Sequence, residues 1–74
     1  MTWNYRIVHR YYPEIDEHEY SVHEVFYDGD VPEMVTEREV SPYGSTLEEL
    51  ERDMGHYMTA FGKPVLEYDE IGQL

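Results

Sequence analysis

The chain has 74 residues, 5 Lys+Arg against 17 Asp+Glu, a formal net charge of -12 and no cysteine. At that length it is expected to form one small α+β domain over 1–74, and its charge argues against direct nucleic-acid binding or docking on an anionic membrane, both of which need a basic patch. The lack of cysteine excludes a disulfide framework, a thiolate zinc site and a cysteine nucleophile, while 15% aromatic residues are too many for a solvated, disordered tail.

The first predicted strand is Trp3–Arg10, where Trp3, Tyr5, Ile7 and His9 alternate with Asn4, Arg6, Val8 and Arg10. Pro13 ends it, because proline brings no ladder donor. This segment is also the basic one. Residues 1–13 carry Arg6 and Arg10 and no acid, whereas 14–74 carry all 17 acids against Arg38, Arg52 and Lys63. Arg6 and Arg10 are therefore expected beside carboxylates of the neighbouring strand. The acidic stretch Glu14–Glu17 forms a solvated loop, and His18–Tyr27 is the second strand. Tyr20, Val22 and Phe26 point to one side of that strand, Val25 and Tyr27 to the other. Asp28-Gly29 predicts a hairpin turn of type I′, leading into a third strand at about Met34–Val40, which Pro32 marks as an edge.

The helix has the clearest signature. Ser45-Thr46-Leu47-Glu48 fits a capping box with Ser45 as the N-cap. Leu47, Leu50, Met54, Tyr57, Met58 and Phe61 then form one apolar stripe, expected to pack on the sheet. Gly62 suits a left-handed C-terminal cap and Pro64 closes the element. Gly55 marks either a close approach to the sheet or a tolerated weak position. Pro64–Tyr68 reads as an extended tail docked by Val65, Leu66 or Tyr68. The predicted fold is thus a three-stranded antiparallel sheet packed on one C-terminal helix, in the order β-β-β-α, with a short extended C-terminal tail.

Chemistry-bearing patterns are sparse. His18 and His23 lie five apart on a strand, so they face opposite sides and share no metal. Ser21 and His23 share a face, but positions i and i+2 stand roughly 7 Å apart and are not expected to touch. Asp28-Gly29-Asp30 is too short for a calcium loop, and the five glycines are isolated, so no phosphate loop exists. The sequence therefore assigns no catalytic residue, no cofactor and no metal, and the protein is expected not to be an enzyme. With no apolar run near the roughly 20 residues of a membrane helix and no signal-peptide core at the start, a cytoplasmic location is expected.

Four segments carry a resemblance: Tyr5-Arg6-Ile7-Val8, Val22-His23-Glu24-Val25-Phe26-Tyr27-Asp28, Ser41-Pro42-Tyr43-Gly44-Ser45-Thr46-Leu47-Glu48-Glu49-Leu50 and Lys63-Pro64-Val65-Leu66-Glu67-Tyr68-Asp69. There the chain resembles a family of short, acidic, uncharacterised bacterial proteins, which implies no activity. Gly44-Ser45-Thr46-Leu47-Glu48-Glu49 is also similar to the G-x-T-x-E-E helix start of the HicB-like antitoxin fold. That second resemblance implies binding and blocking of a small ribonuclease toxin. The chain departs from it in having no C-terminal DNA-binding segment, which puts autoregulation in doubt.

One helix covers one face of a sheet, yet the second strand places large residues on both. The expected function is protein interaction through the uncovered aromatic face, with Trp3, Tyr5, Tyr20, Val22 and Phe26 as the contact surface. Its occupant is a protein partner or a second copy of the chain. The alternative is an acidic inhibitor of a nucleic-acid-binding protein or nuclease, antitoxin-like or imitating DNA.

Overall fold

In the computed structural model, which describes residues 2–73, strands β1 (Thr2–Tyr12) and β2 (Glu17–Asp28) pair antiparallel, from Thr2 opposite Tyr27 to Tyr12 opposite Glu17. Both run slightly past their predicted ends. Asp16, at φ 51, and the preceding Pro13–Ile15 turn the chain between them. After β2 the chain reverses over Gly29-Asp30 into β3 (Val31–Val35). Gly29 has φ 61 while Asp30 keeps a negative φ, the pattern of a type II′ turn and not of the predicted type I′. β3 is earlier and shorter than predicted. A bulge at Phe26/Tyr27 sets Pro32 opposite Tyr27, and the charged run Glu37-Arg38-Glu39 leaves the sheet for solvent.

The helix α1 spans Leu47–Met58 and tightens into a 3₁₀ turn over Thr59–Gly62. Its cap is Thr46 and not Ser45. Thr46 Oγ1 accepts from the Glu49 N–H at 3.1 Å, while Glu49 Oε2 accepts from the N–H of Ser45 at 2.8 Å, so the cap sits one residue later and the glutamate reaches the residue before it instead of the cap itself. Gly62 does not take the left-handed conformation expected of it. Beyond it, β4 (Leu66–Glu67) lies parallel to β1, a second 3₁₀ turn covers Tyr68–Glu70, and β5 (Gly72–Gln73) lies parallel to β3. The sheet order is β4-β1-β2-β3-β5. The α+β class and the C-terminal helix stand, but the sheet is mixed: two short parallel strands flank the three antiparallel ones.

The larger correction concerns what covers the sheet. Val8, Val25 and Val35 from the three long strands form the core with Tyr68 and Ile71 of the tail, and Tyr27 and Leu66 pack against them. The tail, and not the helix, closes this face. The helix turns only its Asp53–Tyr57 flank inward. Tyr57 Oη donates to the Ser41 carbonyl at 2.7 Å, and Asp53 accepts from the Tyr43 N–H at 2.8 Å. Gly44 runs so close to the first helical turn that a Cβ there would overlap the Glu49 and Leu50 backbone. At 100° per residue this flank lies roughly 90° around the helix from the apolar stripe. Of the stripe, Tyr57 turns inward and the other five residues lie to the side of this flank, exposed to solvent. A Cβ at Gly55 would meet open space, so that glycine marks no close approach. None of the helices among the described residues is long and apolar enough to cross a membrane.

Candidate functional site

Register builds the first part of the site. Trp3 lies opposite Phe26, Ile7 opposite Val22 and His9 opposite Tyr20, so all five predicted contact residues, Trp3, Tyr5, Tyr20, Val22 and Phe26, share the sheet face turned away from the valine core. Trp3 and Tyr20 are 50% and 64% exposed, whereas Tyr5, Val22 and Phe26 are half-buried. They do not form one even patch, because Trp3 and Tyr20 stand near opposite ends of the β1–β2 ladder.

Near Trp3 the face continues onto the helix. The Trp3 ring meets Tyr5 edge-on at 5.3 Å between centroids, and Tyr5 stacks on Tyr57 of α1 at 4.4 Å. Burial, reinforced by Tyr5 and Asp53, pushes the Tyr57 hydroxyl up to about 12. Burial and Asp53 raise Tyr5 in the same way. Both phenols stay neutral in any ordinary buffer, and the stack is an apolar bridge between sheet and helix. On the helix side stand Leu47, Leu50, Met54, Met58 and Phe61, exposed by 37% to 78%. Sequence periodicity grouped these five with Tyr57 in one stripe and assigned it to the core; the structure buries Tyr57 and turns the other five to solvent. Glu48 and Glu51, both exposed, border it.

At the other end of the same face an unforeseen polar cluster gathers. His9 Nδ1 lies 2.7 Å from Glu67 Oε1 and His9 Nε2 lies 2.8 Å from His18 Nδ1. The His9 ring stacks on His18 and on Tyr20, and Tyr11 tilts against His18. Only the strand register and the parallel return of β4 bring these residues together. Among the described residues no three His, Asp or Glu side chains group as metal ligands.

The opposite face holds a second contact that spacing had argued against. Ser21 Oγ and His23 Nε2 are 3.0 Å apart, because the two side chains lean toward each other along the strand. His23 Nδ1 sits 2.9 Å from the Thr36 carbonyl, which can only accept, so Nδ1 carries the proton and Nε2 accepts from Ser21. This orients a serine–histidine pair, but His23 is 2% exposed and lies beneath the core face, so the pair braces the strand. His18 and His23 do face opposite sides of the sheet, as the spacing predicted.

No family model matches the chain, and neither a curated protein nor a solved structure matches it.

Proposed function

We propose that the protein is a non-enzymatic interaction domain that binds a basic partner protein through the exposed apolar stripe of α1 and Trp3, which the Tyr5–Tyr57 stack holds beside it. The observation that carries this reading is the exposure of five large apolar side chains, Leu47, Leu50, Met54 and Met58 of α1 and Phe61 of the 3₁₀ turn that continues it. A contiguous apolar strip on so small a domain is costly in water unless a partner covers it. Tyr20, at the far end of the sheet face, belongs to the rim of this surface and not to its centre.

Charge selects the occupant. Two copies of a chain with net charge -12 repel each other, and Glu48 and Glu51 edge the stripe. A partner with an apolar patch rimmed by Lys and Arg meets both features at once: the patch buries the stripe and the rim meets the acids. The sequence-level alternative, an acidic inhibitor of a nucleic-acid-binding protein, is one form of this reading, since such a target is basic.

Affinity capture from host lysate tests it, using the natural chain beside Met54→Glu and Tyr20→Ser. A basic prey retained at low salt, weakened at high salt, lost with Met54→Glu and kept with Tyr20→Ser supports the reading. A prey lost with Tyr20→Ser and kept with Met54→Glu returns the contact to the distal sheet face. Light scattering on the isolated chain covers the other occupant: dimers that strengthen with salt replace the basic partner by a second copy.

A further inference from the structure

Arg6, in the middle of β1, is 7% exposed, yet its charge is unmatched. Nη1 donates to the Tyr27 hydroxyl and Nη2 to the Pro64 carbonyl, each at 2.7 Å, and both acceptors are neutral. Among the described residues no carboxylate forms an ion pair with it; register sets Arg6 opposite His23, against the expectation of a facing acid. Its Nε has no hydrogen-bond partner at all. Two residues earlier on the same face, the Asn4 side-chain oxygen is also buried without a donor. Burying a guanidinium without a countercharge, beside an orphaned acceptor, is costly. Of the chain's 17 acids, none among the described residues lies within ion-pair distance of the guanidinium.

Both residues line a cleft of about 420 Å³ at the hairpin end of the sheet, with Tyr27, Asp30 and Lys63 among its walls. The cleft thus brings together two cations and one carboxylate, with the unpartnered Asn4 oxygen buried in its wall, in a volume suited to a small molecule. We propose that it binds a small zwitterion of the amino-acid class. The ligand carboxylate answers Lys63 and the Arg6 guanidinium and its ammonium answers Asp30; Arg6 Nε and Asn4 Oδ1, both closed to solvent in the free protein, turn toward the ligand as it seats. Net charge favours this class over a phosphate dianion. A protein at -12 repels a dianion from a distance, whereas a molecule with no net charge approaches freely and meets only the local groups. Tyr27 supplies aromatic wall for a side chain.

An NMR titration of the whole chain tests this, with glycine, L-leucine and L-phenylalanine as probes. Two one-ended controls, 4-methylpentanoate and 3-methylbutylamine, lack leucine's ammonium and carboxylate respectively, and inorganic phosphate is the third control. At least one amino acid is expected to give saturable shifts at Asn4, Arg6 and Tyr27, with each one-ended control about tenfold weaker, the effect of one lost charge-assisted hydrogen bond. Arg6→Gln risks unfolding the strand, so Lys63→Gln and Asp30→Asn, both at exposed positions, carry the mutational arm. Each should weaken binding about tenfold with the melting temperature unchanged. The proposal is overturned by the absence of saturable shifts with all three amino acids, by 4-methylpentanoate binding as tightly as leucine, or by phosphate outcompeting every amino acid.

Discussion

Replacing Tyr68 by alanine removes the largest fully buried side chain among the described residues. Its ring lies over Val8, Val25 and Val35 from the tail side and carries the Arg10 guanidinium 4.0 Å from its centroid. Truncating a buried aromatic side chain costs about 3–5 kcal/mol, and losing the cation–π contact adds roughly 0.5–1 kcal/mol. A domain of this length has a total stability of roughly 4–11 kcal/mol, so about half of it is at stake. Tyr68→Phe is the internal control. The hydroxyl reaches the Glu37 carbonyl only at 3.4 Å, so its removal should cost less than about 1 kcal/mol. Met54→Ala, on the exposed stripe, should stay within about 0.5 kcal/mol of the natural chain, because an exposed substitution leaves no cavity. Urea unfolding followed by circular dichroism measures all three. If Met54→Ala shifted the midpoint as far as Tyr68→Ala, the helix stripe would be core and the tail would not be the cover.

Gly55→Ala should raise stability by about 0.5–1 kcal/mol in the same assay, since the added methyl meets nothing and alanine favours the helix. Gly72→Ala should do the reverse: its Cβ would fall 2.7 Å from the Glu33 carbonyl oxygen, which forces β5 off β3 and costs roughly 1–3 kcal/mol, with faster amide exchange at Val35 as its signature. The stacked phenols set an alkaline limit. Tyr57 is held up to about 12 and Tyr5 is raised too, so the unfolded chain releases these protons first. Their contribution is intact below the unfolded tyrosine value near 10 and is lost as pH climbs from there through about 12. Urea midpoints measured across that window should fall with pH, and Tyr57→Phe should flatten the fall.

Alternation in Trp3–Arg10, the β-rich run before Asp28-Gly29 and the apolar spacing from Leu47 to Phe61 made both long strands, the hairpin and the helix legible in the sequence. The shared face of Trp3, Tyr5, Tyr20, Val22 and Phe26 followed from parity and needed no contact information. What was not legible depends on long-range placement. Periodicity reports that one side of α1 is apolar; it does not report whether a sheet or a partner covers that side. Tyr68 and Ile71 sit among Glu67, Asp69 and Glu70, so local composition hid a core-forming segment inside an acidic tail. The His9–His18–Glu67 cluster joins three separate elements through register and a parallel return, neither of which leaves a local signal. The serine–histidine contact was missed for a simpler reason: backbone spacing on a strand understates how far an imidazole leans along it. The unmatched Arg6 shows up only once its neighbours are known, because seventeen acids in the sequence promise a partner that the fold withholds.

The central claim is that the apolar stripe of α1 stands free while the tail covers the sheet. Methyl NMR of the natural chain in the presence of a soluble paramagnetic agent measures this without any substitution. The account predicts strong broadening of the Met54 and Met58 methyl signals, with Val8, Val25, Val35 and Ile71 protected. Protection of Met54 and Met58 to the same degree as those core methyls, in a monomeric sample, would contradict it.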